Sequence, residues 1–245
     1  MGRSNRQISS TDRYHIILRG VNRQDIFLDD YDRKRFISTM RKYSAEQNAD
    51  IIAFCLMNNH VHILAHIPDP PDLLMKKISS SYVYYFNHRY DRVGHLFQER
   101  FKSEPVQSDS YLLTAARYIL QNPKKAGICR MQDYLWSSWN YLKERSDFCD
   151  PDVLIRIAEG YDHLMQYLVM ENEDICLEAE DRHVLTDDEA LQKIRKAAGI
   201  SNPFELLVFP KAQRNDLLRL LKKEGIPVRQ LARLTGLDRN IIQRA

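Results

Sequence analysis

The residues with the clearest chemical potential are two histidines separated by one residue. His60 and His62 flank Val61 and follow closely after the apolar run 51–57. In an extended strand, alternate side chains project from the same face, so both imidazoles would point the same way and could bind one metal ion. Histidines also fall at this spacing by chance, so the pair alone does not establish a metal site.

A tyrosine and an asparagine supply a second pair. Tyr118 and Asn122 stand four residues apart, on one face of a helix predicted over residues 111–121. A tyrosine hydroxyl, with a pKa of about 10, is a poor nucleophile at neutral pH and needs an activated target. A phosphodiester bound to a divalent ion is such a target. Tyr118 could instead be a core tyrosine, and the alternative nucleophiles are Tyr82, Tyr84, Tyr85 and Tyr111, of which the first three are better interpreted as packing or base-stacking residues.

The hydrophobic pattern predicts a mixed scaffold that would position these side chains. Strands are predicted at 14–20, 50–57, 61–66 and 100–107, and helices at 31–47, 72–88 and 111–121. The order β-α-β-β-α-β-α is that of ferredoxin-like, split βαβ folds with an antiparallel sheet backed by helices. We therefore expect an α+β domain over residues 1–145.

Charge divides the chain into three blocks. Residues 1–145 carry 22 Lys or Arg and 15 Asp or Glu, residues 146–190 carry 2 and 14, and residues 191–245 carry 12 and 4. Basic blocks suit a phosphate backbone because neutralised phosphates release counterions. Solvated helix faces account for the same charges equally well. The acidic block is predicted to be a partly helical connector.

The C-terminal block, 191–245, has the spacing of a helix-turn-helix. A helix is predicted at 213–224, with a break at 225–227, and the small residues Ala232 and Gly236 would allow close helix approach and a turn. Segment 238–244 would then be a recognition helix, whose DNA contacts would be Arg239, Asn240, Gln243 and Arg244. A plain helical hairpin is the alternative.

Composition is that of a globular protein. Apolar residues make up 44% and charged residues 28%, and no apolar run reaches the roughly 18 residues of a membrane-spanning helix. The first residues lead into no hydrophobic signal region. The four cysteines have no CxxC spacing, which argues for a reduced protein without a zinc–cysteine site; they are Cys55, Cys129, Cys149 and Cys176. We therefore expect a cytoplasmic location and no membrane partner.

Several motifs occur in a characteristic order along residues 8–142. They are YHIILRG at 14–20, NR at 22–23, IFLDD at 26–30, MNNHVH at 57–62, GHLFQ at 94–98, RFKS at 100–103, RYILQNP at 117–123, KAG at 125–127 and WSS at 136–138. Together they resemble the single-tyrosine HUH transposases of the insertion-sequence type, and most closely the REP-associated tyrosine transposases. The family's usual NPV-R-AG stretch is NPKKAG here, which adds charge beside Asn122.

The resemblance implies an enzyme that cuts and rejoins single-stranded DNA carrying a hairpin or inverted repeat. His60, His62 and Asn122 would bind Mg²⁺ or Mn²⁺, and Tyr118 would attack the scissile phosphate to give a 5′-phosphotyrosine and a free 3′-hydroxyl. Relatives work as dimers or as monomers, so the resemblance leaves both a homodimer and a monomer as alternatives. Charge and motif position add a set of expected DNA contacts: Arg19, Asn22, Arg23, Arg100, Lys102 and Arg117.

Two other functions are compatible with these residues. A DNA-binding regulator could use the same scaffold with its catalysis lost or unused. The intact set of His60, His62, Tyr118 and Asn122 favours the enzyme. A metal-dependent hydrolase with the two histidines as ligands would leave the Tyr118 helix unexplained.

Overall fold

The computed structural model of the chain describes residues 7–142, 146, 148–174, 176–177 and 187–245. It divides into two compact units, Met1–Ala179 and Glu180–Ala245. None of the helices in the described part of the chain is long and apolar enough to cross a membrane.

The first unit is built on a four-stranded antiparallel sheet. Its strands are β1 (Arg13–Arg19), β2 (Asp50–Leu56), β3 (His60–His66) and β4 (Lys102–Pro105), in the order β2-β3-β1-β4. The predicted α+β fold with an antiparallel sheet is confirmed. The fourth strand is shorter than the predicted span 100–107, and Pro105, which has no N–H to donate, is tolerated because β4 lies at the sheet edge.

Helices cover both faces of this sheet. They are α1 (Asp30–Glu46), α2 (Asp72–Arg89), α3 (Asp109–Leu120) and α4 (Asn122–Lys125). Helix α1 is capped by Asp29, whose carboxylate accepts the Asp32 N–H at 3.0 Å. Helix α3 begins two residues earlier than predicted because Ser108 Oγ accepts the N–H of Tyr111 at 3.2 Å.

Strand alternation separates two hydrophobic cores. Ile16 on β1 and Ile63 on β3 are buried in one core with Phe36 of α1 and Ile78 of α2. Leu64, the next residue on β3, is buried in the other core with residues of α3. The side chains that alternate with the first core therefore face α3, and these include both predicted metal-binding histidines.

The acidic block folds onto α3 instead of forming a connector from residue 146. Its helices α5 (Asp152–Ile157) and α6 (Tyr161–Val169) bury Leu154, Leu164 and Leu168 in the same core as α3. The structure thus places the unit boundary at 179 and not at 145. A count of charges describes the solvated faces of these helices and misses their apolar stripe. Residues 178–186 of the predicted connector lie outside the described residues.

The second unit is helical around its own core. Its helices are α7 (Asp187–Ala198), α8 (Lys211–Lys223), α9 (Val228–Thr235) and α10 (Arg239–Arg244), with a 3₁₀ helix at Pro203–Val208. Gly236 ends α9 with a φ of 72°, and a Cβ there would lie 3.0 Å from the Phe204 ring, so glycine is favoured at this turn. Helices α8 and α10 fall where the sequence predicts them, whereas α7 and the 3₁₀ helix were not predicted. A DNA-reading helix-turn-helix stays a prediction.

Candidate active site

The two histidines begin strand β3 and lie side by side. In the β1–β3 pairing His60 is opposite Arg19 and His62 is opposite Ile17. The ring centroids of His60 and His62 are 5.0 Å apart. His62 is buried, at 2% exposure, whereas His60 at the strand end is half-buried. One imidazole therefore belongs to the core and the other to the mouth of the site.

Hydrogen bonds at Nδ1 orient both rings. His60 Nδ1 donates to Asn59 Oδ1 at 2.6 Å, and His62 Nδ1 lies 3.0 Å from Nε2 of His15. In each ring this designates Nε2 as the nitrogen that would bind a metal, because a ligating histidine uses one nitrogen for the ion and the other for an outer partner.

His15 is the site residue that sequence reasoning missed. It lies on β1, is fully buried, and burial lowers its pKa to about 3. Burial, followed by the neighbouring His15, holds the pKa of His62 well below its usual range. Both rings are therefore neutral at neutral pH, the form in which imidazole binds metals.

The shared hydrogen bond has two possible proton arrangements. For His62 Nε2 to present a lone pair, the proton must sit on His62 Nδ1 and point at His15 Nε2. His15 then carries its own proton on Nδ1, which is buried and has no hydrogen-bond partner within the described structure. The sequence does carry a signal for His15, which is a polar residue between Tyr14 and Ile16 in the middle of an apolar strand.

Tyr118 lies against these histidines. Its ring centroid is 5.7 Å from that of His62 and 6.1 Å from that of His15, and its side chain is 5% exposed. Lys125 Nζ lies 4.4 Å from the centre of the Tyr118 ring. The structure thus brings a phenol, two neutral imidazoles and a cation into one place.

The alternative tyrosines have other partners. Tyr82 donates to the Ile26 carbonyl at 2.5 Å, Tyr85 to Asp32 at 3.1 Å, and Tyr111 to Glu104 at 2.7 Å. Burial raises the pKa of each of these three phenols. Tyr84 is 76% exposed on α2. Among the tyrosines considered as nucleophiles, Tyr118 is therefore the one that adjoins the histidines.

Asn122 supplies an amide at the start of α4. Its Nδ2 donates to the Tyr118 carbonyl at 2.9 Å and to the Ile119 carbonyl at 3.4 Å, which leaves Oδ1 as the atom suited to a metal. In the described part of the chain no three His, Cys, Asp or Glu side chains are grouped to hold a metal ion. A metal on His60 and His62 would therefore need an amide such as that of Asn122, or non-protein ligands.

Comparison with known families identifies this domain. Residues 9–122 match the family described as Transposase IS200 like. These residues, just under half of the chain, are similar to an IS200-like transposase domain. The match contains all four strands and the site residues His60, His62, Tyr118 and Asn122. This similarity supports a role in transposase-type DNA processing. No curated protein matches the chain.

One solved structure supports the fold of this domain. A REP-associated tyrosine transposase bound to a REP hairpin is similar with a TM-score of 0.50 and 18% identity, covering 59% of this chain and 87% of that one. A candidate transposase from Deinococcus radiodurans R1 aligns with a TM-score of 0.34 and 18% identity, covering 45% of this chain and 90% of that one. The first likeness shows a shared fold.

Arg117 of the transposase domain points away from the histidines. Its guanidinium donates two hydrogen bonds to Asp174, at 2.7 and 2.8 Å, and lies 4.1 Å from the centre of the Tyr167 ring. The hydrogen bond to Asp174 raises the pKa of Arg117. The expected phosphate contact at Arg117 is not supported, because this side chain fastens the acidic segment to the helix that carries Tyr118.

The other expected DNA contacts lie in three places. Arg19 ends β1 opposite His60, and Asn22 and Arg23 are exposed in the turn that follows. Arg100 is exposed just before β4, and Lys102 on β4 is opposite Ile17. In the second unit, α10 exposes the four predicted contacts Arg239, Asn240, Gln243 and Arg244. Their binding to DNA stays a prediction.

Proposed function

We propose that this protein is a metal-dependent endonuclease and strand transferase that cleaves single-stranded DNA through a covalent bond to Tyr118. The observation that carries the proposal is the position of the Tyr118 ring, 5.7 Å from the buried His62 ring in an IS200-like transposase domain. A DNA-binding regulator would not need a buried phenol beside two neutral imidazoles, since its affinity would come from exposed cations and base contacts.

The donor set fits a divalent cation. Nε2 of His60, Nε2 of His62 and Oδ1 of Asn122 would hold Mg²⁺ or Mn²⁺, a mixed nitrogen and oxygen set with positions left for phosphate and water. When bound, the ion would polarise a phosphate oxygen and hold the scissile phosphate in place. The hydrogen bonds that His60 and His62 donate to Asn59 and His15 support this role, because they orient the two imidazoles.

The proposed chemistry of Tyr118 is a reversible transfer. Its hydroxyl oxygen attacks phosphorus, and the bond from phosphorus to the 3′ oxygen of the preceding nucleotide breaks. The phenolic proton is lost to solvent, and the departing oxygen takes up a proton to become a free 3′-hydroxyl. The Lys125 ammonium lies 4.4 Å from the centre of the Tyr118 ring, within cation–π distance. One phosphoester replaces another, so a 3′-hydroxyl can reverse the step and join strands.

The proposed substrate is single-stranded DNA that folds into a hairpin or inverted repeat. The similar REP-associated transposase was solved with a REP hairpin, and this domain shares its fold. The exposed Asn22 and Arg23 beside the strand end of His60 suit a nucleic-acid backbone. The exposed polar face of α10 would form a second DNA-reading module, the predicted helix-turn-helix.

The decisive experiment asks whether a covalent adduct forms on Tyr118. Purified protein with Mn²⁺ is incubated with labelled hairpin oligonucleotides taken from the DNA that flanks the gene, and adducts are resolved on a denaturing gel. We expect an adduct with the native protein and none with Tyr118→Phe, which should still shift the same DNA in a native gel.

Tyr111→Phe is the matched control. Tyr111 lies on the same helix, but its hydroxyl is bound to Glu104, so this variant should keep the adduct. An adduct that persists in Tyr118→Phe would contradict the nucleophile assignment. Binding without any adduct, for every hairpin from the gene's neighbourhood, would favour the regulator.

A further inference from the structure

Helix α3 carries a row of polar side chains next to Tyr118. Thr114, Arg117 and Gln121 follow one another at spacings of three and four residues, so they lie on one stripe of the helix. All three bond to segment 167–177, which belongs to the acidic block and lies outside the residues that match the transposase family. The helix of the candidate nucleophile is therefore attached to a part of the chain that the family match does not include.

Arg117 makes the most directional of these attachments. It is 9% exposed, and its guanidinium donates to both carboxylate oxygens of Asp174, at 2.7 and 2.8 Å. The ring of Tyr167 covers the guanidinium, with its centre 4.1 Å from Arg117 Cζ. A two-point ion pair fixes orientation as well as distance, because the guanidinium and the carboxylate are both planar. The pair therefore limits rotation of α3 at the residue next to Tyr118.

Gln121 anchors the end of the same helix. It is 3% exposed, and its Nε2 donates to the carbonyl oxygens of Leu168 and Met170 at 2.7 and 3.0 Å. Its Oε1 accepts a hydrogen bond from Asn172 Nδ2 at 2.9 Å. The side-chain amide thus uses both of its hydrogens and its oxygen on the acidic segment. These bonds fix the helix end directly before Asn122, the candidate metal ligand.

The acidic segment has supports of its own and can therefore serve as an anchor. The Asp174 N–H donates to Asn172 Oδ1 at 3.0 Å, which holds the carboxylate in its turn. The Leu177 N–H donates to Glu104 Oε2 on β4 at 3.2 Å. Cys176 is buried in the same core as α3. The segment is thus tied to the sheet edge as well as to the helix.

Stability alone does not require this ion pair. Two buried charges lose much of their attraction to desolvation, and apolar side chains of similar volume often stabilise a protein equally well. Apolar side chains, however, allow small rotations that a two-point hydrogen bond resists. A nucleophile is sensitive to such movements, since a displacement of about 1 Å can slow a reaction about 100-fold. Precise placement of Tyr118 is therefore what the ion pair would contribute.

We propose that Asp174, acting through Arg117, is a positioning residue for the nucleophile. The ion pair and the Gln121 amide together set the rotation and depth of α3, and so the place of the Tyr118 hydroxyl relative to the paired histidines. This inference rests on the proposed function and adds to it a role for a segment outside the family match. The acidic segment then acts through the geometry of one helix and not through its net charge.

The test separates the chemical step from DNA binding and from stability. For native protein and Asp174→Ala, we measure the rate constant of adduct formation at saturating hairpin DNA with Mn²⁺, the dissociation constant of that DNA in EDTA, and unfolding in urea. We expect Asp174→Ala to slow the adduct by about 10- to 100-fold per folded molecule and to leave the dissociation constant unchanged. Asp174→Glu, which can keep the ion pair, should recover most of the rate. A merely structural residue would change stability and not this rate.

Glu171→Ala is the matched control. It removes one negative charge from the same segment, but the Glu171 side chain is 92% exposed and pairs with Lys124 of α4 at 3.4 Å, so the rate should stay native. The double variant Arg117→Ala/Asp174→Ala should be no slower than the slower single variant, because Asp174 acts through Arg117. If Asp174→Ala does not fold, Asp174→Asn replaces it and should slow the adduct less.

Hydrogen exchange of the α3 amides gives a readout that needs no catalysis. Asp174→Ala should exchange faster in α3 and at the native rate in the sheet. A native adduct rate per folded molecule in Asp174→Ala, equal slowing in Glu171→Ala, or native exchange in α3 would each overturn the inference. Absence of any adduct from native protein would instead contradict the proposed function, and the exchange rates would still decide whether Asp174 holds α3 in place.

Discussion

The two faces of the sheet are made by the same strands and differ in what they bury. On the α1–α2 face, β1 and β3 bury mainly apolar side chains, among them Ile16 and Ile63. On the α3 face, the same strands bury His15 and His62, which bond to each other at 3.0 Å. One set of backbone hydrogen bonds therefore supports a hydrophobic core on one side and a chemical site on the other.

The difference shows how a buried polar site can persist next to a core. A buried imidazole without a partner costs free energy, and the pair reduces this cost by sharing one hydrogen bond. His15 Nδ1 is still left without a partner in the described structure, so the histidine pair keeps a buried defect. We interpret this defect as a consequence of function, since an apolar pair would pack there without it.

The largest expected effect is on the apolar face. Phe36 is fully buried and contacts Phe27 and Tyr82 edge-on, with centroids 5.5 and 5.0 Å away. Phe36→Ala should lower the free energy of unfolding by about 3–5 kcal/mol, because it removes an aromatic ring and leaves a cavity. Urea unfolding measures the loss. Adduct formation per folded molecule should not change, and a specific loss of activity would show that the two faces are coupled.

A smaller effect is expected for His15 on the α3 face, and it should fall on metal affinity instead of stability. His15→Phe removes the partner of His62 Nδ1 and also the orphaned His15 Nδ1, so stability should change little. Mn²⁺ affinity should fall by about 10- to 100-fold, since an outer-shell partner is lost. Calorimetric titration of the DNA-free protein measures this directly. His15→Gln, which keeps a polar partner for His62, should retain more of the affinity, and native affinity in His15→Phe would refute the role of His15.

Much of the first unit follows from local sequence rules. Alternation places His60 and His62 on one face, and the four-residue spacing places Asn122 against the Tyr118 carbonyl. Both follow from backbone geometry within one or two elements, which hydrophobic periodicity also marks.

What the sequence did not provide depends on contacts between distant elements. His15 becomes a site residue only through the β1–β3 register, which brings it beside His62, 47 residues further along the chain. Arg117 was expected to contact phosphate because its charge has no partner nearby in the sequence. Its actual partner is Asp174, which lies 57 residues further along the chain and accepts its hydrogen bond at 2.7 Å. Charge blocks likewise suggested a connector at 146–190, since net charge describes a surface and not the buried Leu154 and Leu164.

The smallest expected effect, a dependence of stability on pH between about pH 7.5 and about pH 5.5, should come from the buried histidines of the α3 face. Burial lowers the pKa of His15 from 6.5 to about 3 in the folded protein, and also lowers that of His62. Below about pH 6.5 the unfolded chain therefore binds protons that the folded protein does not. The contribution of these histidines to the free energy of unfolding is fully present above this pH. It falls as the pH decreases, by up to about 1.4 kcal/mol per pH unit for each histidine.

Urea unfolding between about pH 7.5 and about pH 5.5 measures this slope before most carboxylates titrate. His15→Phe should reduce it, because one of the two buried histidines is gone. Phe36→Ala, on the opposite face, should lower stability equally at each pH and leave the slope as it was. If His15→Phe kept the native slope, the buried pair would not be the source of the pH dependence. The two faces would then differ in the side chains that they bury and not in how stability on each face depends on protonation.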